Sequence, residues 1–236
     1  MNADAKASCA AQMRSASYRL LSRMFLEEVP LAFLKALPEV VHAGFSGMSA
    51  LPCDLDRTLA DAVERVGARQ VFLDAAADCA ALLWGMSARS VHPYESVYAS
   101  PAGVMMQEPR DQVVSVYRRA GVAISEGGAN IPEDHIGIEL AFMALLCERQ
   151  ARALVAADDD LVCEACAMQH SFLRDHLLNW APTFCEDLFD RAEKRAQLDV
   201  SDRRGGTPLY ASLAQVTQQF LKDEMRASGG RLTPPM

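Results

Sequence analysis

The sequence predicts an all-α fold, a single helical-bundle domain of about eight or nine helices around one buried helix at about residues 132–154. Three observations carry this expectation. Apolar residues recur at three- and four-residue steps along most of the chain, the spacing of one helix face. No period-2 run bounded by hairpin-type turns occurs. Between Ile136 and Cys147 every position except Glu139 is apolar or small, and a helix that is apolar on all sides is normally enclosed by other elements.

Taken in order, the first helix is expected from about Ala5 to Glu28, with Tyr18, Leu21, Met24 and Phe25 facing inward and Met13 and Ala10 behind them, and Pro30 ending it. A short helix follows at Leu31–Leu37, stopped by Pro38, and Gly44–Pro52 reads as a loop. Asp54 is placed to cap a helix from about Leu55 to Met86, with Leu59, Val63, Val66, Val71, Leu73, Leu82 and Leu83 as its core candidates. Ser90–Pro101 contains two prolines and no helical period, so an ordered loop carrying Tyr94 and Tyr98 is expected. A helix begins at Glu108 with Pro109 in its first turn and closes at Gly121. The Gly-rich stretch at about 125–130 is a linker into the central helix, and Asp158–Asp160 ends that helix and caps the next, Leu161–Trp180. Ala181–Pro182 should interrupt it before helix resumes through Phe184, Leu188 and Phe189. A last helix, Leu209–Met225, precedes a tail at about 227–236 expected to be disordered.

Composition bounds the function. With 50% hydrophobic and 23% charged residues, 236 residues form a folded chain able to bury a sizeable core. A formal charge of -8 argues against general nucleic-acid binding, which needs a basic stripe. Seven cysteines, at Cys9, Cys53, Cys79, Cys147, Cys163, Cys166 and Cys185, form no disulfide framework and point to a reducing compartment. Met1–Ala11 is polar and Ala-rich rather than a secretion signal, and no run approaches the ~20 apolar residues of a membrane span, so a cytoplasmic protein without stable membrane insertion is expected.

Chemistry concentrates at Pro132-Glu133-Asp134-His135. With Asn130 or Ile131 as N-cap, Glu133 and Asp134 would face the positive end of the helix dipole, a sufficient structural reason for both. His135 and Glu139 are unexplained by a cap, and either a satisfied, partly buried histidine or a binding site would account for them. As an i, i+4 pair they could ligate a metal, yet the second histidine of an H-E-x-x-H array is absent. Cys163, Cys166 and His170 share a helix face as C-x-x-C-x-x-x-H. They read either as a metal or redox site or, continued by Leu173 and Leu177, as a core seam. No Walker A, G-x-G-x-x-G or G-x-S-x-G pattern is present.

Pro132-Glu133-Asp134-His135-Ile136, followed by Glu139-Leu140 and Phe142-Met143, resembles the most characteristic segment of the TorD/DmsD family of molybdoenzyme maturation chaperones. Tyr18–Phe25, Pro93–Tyr98 with Glu108-Pro109, Tyr117 and Gly121, and His176-Leu177 with Trp180-Ala181-Pro182 and Phe184 resemble further family segments in the same order. Ile131 departs from the acidic residue many members carry before the proline.

The resemblance covers roughly Tyr18 to Leu221 and implies one TorD-like domain over residues 1–236 with no enzymatic activity and no cofactor. The implied partner is an apo-molybdoenzyme catalytic subunit and its twin-arginine signal peptide, held until cofactor insertion by a monomer or homodimer. The implied client-binding residues are Asp134, His135, Glu139, Tyr94, Glu95 and Tyr98, the carboxylates taking up arginine and the tyrosines forming apolar walls with polar tips. Alanine at both Asp134 and His135 is then expected to weaken peptide binding and leave the melting temperature nearly unchanged. The alternative is a metal-binding or redox protein using Cys163, Cys166 and His170.

Overall fold

In the computed structural model, the residues described are 3–32, 36, 45, 55–86, 90–122, 131–200 and 209–231. Their regular structure is helical, with no strand among them and a single isolated bridge between Tyr94 and His135. The helices are α1 (Ala3–Leu26), α2 (Leu55–Val66), α3 (Ala68–Leu82), α4 (Glu95–Ala99), α5 (Glu108–Arg119), α6 (Ile136–Ala156), α7 (Asp159–Phe172), α8 (Leu178–Val200) and α9 (Leu209–Arg231). None of them is long and apolar enough to cross a membrane. The expected helix at Leu31–Leu37 falls largely, and the linker at 125–130 wholly, outside the described residues.

The chain forms two compact units, each of discontinuous segments: Met1–Arg23, Tyr94–Ala181 and Leu221–Met236 in the first, Met24–Pro93 and Pro182–Phe220 in the second. The first is built on α6, whose Ile136, Leu140, Met143, Leu146 and Cys147 are all buried, as the absence of a polar face requires. Against it lies α1, and their contact is set by small residues. Ser8, Ser15 and Ser22, seven residues apart, donate their hydroxyls to the carbonyls of Ala151, Ala144 and Gly137, also seven apart and in reverse order, at 3.1, 2.9 and 2.6 Å. A seven-residue repeat keeps one helix seam facing its partner, and a backbone carbonyl has a second lone pair for such a bond. α6 ends at Ala157 in the left-handed region, φ 53°, and Asp158 Oδ1 accepts the Leu161 N–H at 3.0 Å to start α7, the cap expected of the Asp run. Tyr117, Phe142 and Phe172 pack as a cluster with ring centroids 4.6–6.0 Å apart.

In the second unit, Phe25 meets Phe184 edge-on at 5.7 Å, Phe45 meets Phe220 at 5.5 Å, and Arg195 pairs with Asp78. The expected helix Leu55–Met86 is two helices. Gly67, at φ 85°, breaks the run between them, a conformation that glycine adopts without a Cβ penalty. Val66, beside the break, and Leu73 are exposed, so neither joins the core, while Val71, Leu82 and Leu83 do. In α1, Met13 is likewise exposed.

Three further expectations are corrected. Pro182 does not interrupt a helix but lies inside α8. The irregularity sits one turn upstream, where Leu173–Leu177 form a π turn and the Leu178 N–H bonds back to Leu173 O, so an inserted residue replaces the break. Residues Glu95–Ala99 are a short helix rather than loop, initiated by an acceptor 38 positions away, as described below. Finally, α9 runs to Arg231 rather than Met225. Arg226 and Ala227 are good helix formers and Arg226 pairs with Asp223, so the first part of the expected tail is helical, and 232–236 lie outside the described residues.

Candidate functional site

The site lies at the N-terminus of α6, in the first unit. The cap is His135, not Asn130 or Ile131: its extended backbone precedes the helix and its Nδ1 accepts the Gly137 N–H at 3.0 Å. An unprotonated imidazole nitrogen here does what a capping serine or aspartate oxygen does elsewhere. Burial holds the His135 pKa down at about 4, consistent with an acceptor that must stay neutral. Pro132–His135 therefore forms a turn before the helix, closed by His135 N–H to Pro132 O at 3.1 Å.

Asp134 caps a different helix. Its Oδ2 accepts the Ser96 N–H and its carbonyl accepts the Glu95 N–H, both at 2.9 Å, which starts α4. The turn before α6 and the segment Tyr94–Ala99 are thereby held together, and two further carboxyl groups converge beneath them. Glu95 receives His176 Nδ1 at 3.0 and 3.2 Å, and Glu139 Oε2 accepts the Trp180 indole N–H at 3.2 Å. Glu95, Asp134 and Glu139 are 2%, 0% and 0% exposed. No lysine or arginine among the described residues forms an ion pair with any of them. Burial above all, then the neighbouring charges of Glu95 and Asp134, pushes the Glu139 pKa well above the usual carboxylate range.

The cluster is also short of donors. Four buried side-chain oxygens among the described residues lack a hydrogen-bond partner, and three of them belong here: Asp134 Oδ1, Glu139 Oε1 and Ser96 Oγ. Buried polar groups are nearly always partnered, so three oxygens without a protein partner within one cluster single it out as a place that can take further hydrogen bonds.

Around the cluster, the Tyr94 ring stands edge-on to His135 at 5.1 Å and Tyr98 stacks on Trp180 at 5.7 Å, both half-buried. Glu133 lies beside them with its Oε2 at 2.6 Å from both Nε and Nη2 of Arg110. Burial would raise the Glu133 pKa, but the bonds from Arg110 outweigh it and hold the carboxyl below its ordinary value. Following α4, the loop at Val104, Met105 and Met106 is exposed, Met106 being 56% exposed at φ 63°.

All six residues expected at the site are thus brought together, but in unequal positions. Tyr94 and Tyr98 reach the surface, whereas Asp134, His135, Glu139 and Glu95 are enclosed. The contacts argue against the expectation that alanine at Asp134 and His135 spares stability: His135 is the N-cap of α6, the Asp134 carboxylate accepts an N–H from the first turn of α4, and both are buried. The sequence reading gave no role to His176, Trp180, Ser96 or the Arg110–Glu133 pair. His176 and Trp180 stand i, i+4, and that spacing was the available signal.

Cys163 is exposed, Cys166 and His170 are partly so, and no group of three His, Cys, Asp or Glu among the described residues is arranged to hold a metal. The core stripe of α7 is Ala165, Gln169 and Phe172, so Cys163, Cys166 and His170 do not join the core, whereas Leu173 and Leu177, which continue their stripe, are buried. His135 Nδ1, already bonded to Gly137, does not form an i, i+4 metal pair with Glu139.

Residues 50–186 match the family described as nitrate reductase delta subunit. A Vibrio cholerae serotype O1 protein described as chaperone protein TorD is 28% identical over 218 residues, covering 90% of each chain. Proteins of the same description from Shewanella pealeana and Photobacterium profundum are 24% identical over 224 residues and 27% over 152. The first comparison covers 90% of this chain and 88% of the relative, the second 64% and 66%.

Proposed function

Because the chain belongs to the nitrate reductase delta subunit family, and within it to the TorD/DmsD maturation chaperones, we propose that it is a cytoplasmic chaperone for a molybdenum-containing oxidoreductase. It binds the twin-arginine signal peptide of the apo-enzyme and holds it until the cofactor is inserted, without catalysing a chemical step. The observation that carries this reading is the orphaned acceptor set, Asp134 Oδ1, Glu139 Oε1 and Ser96 Oγ, in a carboxyl cluster that has no lysine or arginine partner among the described residues.

A guanidinium brings N–H donors in a planar fork and a charge that survives desolvation better than an ammonium, so it suits a cluster of carboxyl groups with acceptor oxygens to spare. Glu133 at the rim already accepts an arginine and is the first contact for an incoming one. Tyr94 and Tyr98 cover the cluster and must swing aside, after which their rings flank the client's apolar residues. His176 and Trp180 hold Glu95 and Glu139 in place during the exchange.

The test is fluorescence anisotropy with a twin-arginine leader peptide and the same peptide with both arginines changed to lysine. Lysine offers a point charge without the fork, so affinity should drop at least about tenfold, or ~1.4 kcal/mol. Equal binding of the two peptides would remove the carboxyl cluster from the recognition site.

A further inference from the structure

Two cavities of about 510 and 460 Å³ open along α7, one toward α5 and one toward the C-terminal half of α6, and both are lined by Glu164 and Met168. Sharing these two residues, they adjoin along α7 as a composite groove. It runs from Leu161 to His176, which at 1.5 Å per helical residue is about 22 Å, room for about four turns of a helix. Leu161 and Met168 lie along it seven residues apart above the buried Ala165 and Phe172, an apolar ridge against which another helix can pack. Leu161 is 51% exposed, and Val155 at the end of α6 is also exposed, so the ridge is not covered at that end.

The opposite wall is cationic. Arg119 on α5 and Arg149 and Arg152 on α6 line the groove of a chain whose net charge is -8. Arg149 donates to Ala120 O at 2.7 Å, Arg152 stands 4.0 Å from Glu148, and Arg119 forms no ion pair or hydrogen bond among the described residues. On the α7 side Asp175 is engaged by Arg174 at 2.6 Å, leaving Glu164 as the carboxyl on that lip. An extended peptide would find no strand edge here for its backbone, whereas a helix satisfies its own.

We infer that this groove takes an acidic amphipathic helix from the body of the client, a second attachment besides the cationic leader. The apolar face would lie on the α7 ridge and the carboxylates toward the three arginines. The identification of the partner rests on the function proposed above. Continuity supports it: Phe172 and His176 line the groove, and His176 is the residue that binds Glu95 in the leader site, so one client can occupy both.

The probe is a designed peptide of about four helical turns with leucine on one face and glutamate on the other, titrated into the full chain alongside a lysine-for-glutamate version and a twin-arginine leader peptide. The acidic probe should bind. Arg119→Glu with Arg152→Glu should weaken it at least tenfold and admit the lysine version, while leader affinity stays within about twofold. One peptide joining leader and acidic helix should bind at least tenfold more tightly than either part. Failure of the acidic probe to bind, indifference to the charge reversal, or competition between probe and leader would overturn the inference. A joined peptide no tighter than its better part would overturn the shared client. If the probe behaves as stated but the leader does not bind, the groove stands and the proposed leader site falls.

Discussion

Two buried polar networks among the described residues of the first unit differ in whether their own side chains satisfy them. In the first, Arg14 donates to Glu224 and to Gln150, Tyr18 donates to Glu224, and Gln169 joins Gln150 to Leu146 O and Cys147. It contains its own cation, and none of its side-chain oxygens is among the buried atoms left without a partner. The second, at Glu95, Asp134 and Glu139, contains three carboxyl groups, no arginine or lysine partner among the described residues, and three orphaned acceptors. A network that closes on itself fixes a register between helices. One whose acceptors are not all met by the chain itself can take further donors.

That contrast can be broken most forcefully at Arg14. Arg14→Met leaves Glu224 buried with Tyr18 as its remaining donor of the pair and should cost about 3–5 kcal/mol, read as a fall in denaturant midpoint. Leader affinity of the folded fraction should stay within about twofold.

Next in size is the acid sensitivity of the open cluster. Burial holds His135 at about 4, below its unfolded value of about 6.5. The unfolded chain therefore takes up a proton that the folded cap refuses. This contribution is fully present above about pH 6.5 and is lost as pH falls toward about 4, on the order of 3 kcal/mol in all. Urea unfolding across that range checks it, and His135→Asn, which retains a capping acceptor, should flatten the profile.

Glu139→Gln sharpens the comparison in the opposite direction from Arg14→Met. The amide keeps an acceptor for Trp180 and removes an acid whose ionisation burial opposes, so the melting temperature should hold or rise while leader affinity drops at least about tenfold, ~1.4 kcal/mol. Loss of stability with no loss of binding would make the open cluster merely structural. The smallest effect is expected from Arg110→Gln, which frees Glu133. Stability should change by no more than about 1 kcal/mol, and the leader should associate a few-fold faster because the rim carboxylate is already vacant.

The fold was legible wherever its cause was local. The all-round apolar character of Ile136–Cys147 identified the central helix, and Asp158 announced its own capping role. What escaped depends on distant partners. The helix Glu95–Ala99 exists because Asp134 accepts its first N–H groups, and Pro182 is absorbed because a π turn precedes it. Gly67 was a visible signal passed over within an otherwise continuous pattern. At the site, residue types were legible but depth was not. Asp134, Glu139 and Glu95 look like surface carboxylates in sequence, and only the contacts to Ser96, Trp180 and His176 show that they are enclosed. The serine ladder between α1 and α6 was readable in principle, as a heptad of small polar residues, but apolar periodicity drew attention to the neighbouring face.

The raised proton affinity of Glu139 gives client capture a chemical stoichiometry. If the function proposed above holds, a guanidinium entering beside a carboxyl whose proton affinity is raised by burial favours its ionised form, so leader binding should release protons to solvent. The heat of binding should then vary with the ionisation enthalpy of the buffer, and the affinity should strengthen as pH rises. A chaperone that captures its client in this way would also respond to the proton concentration in which the handover takes place.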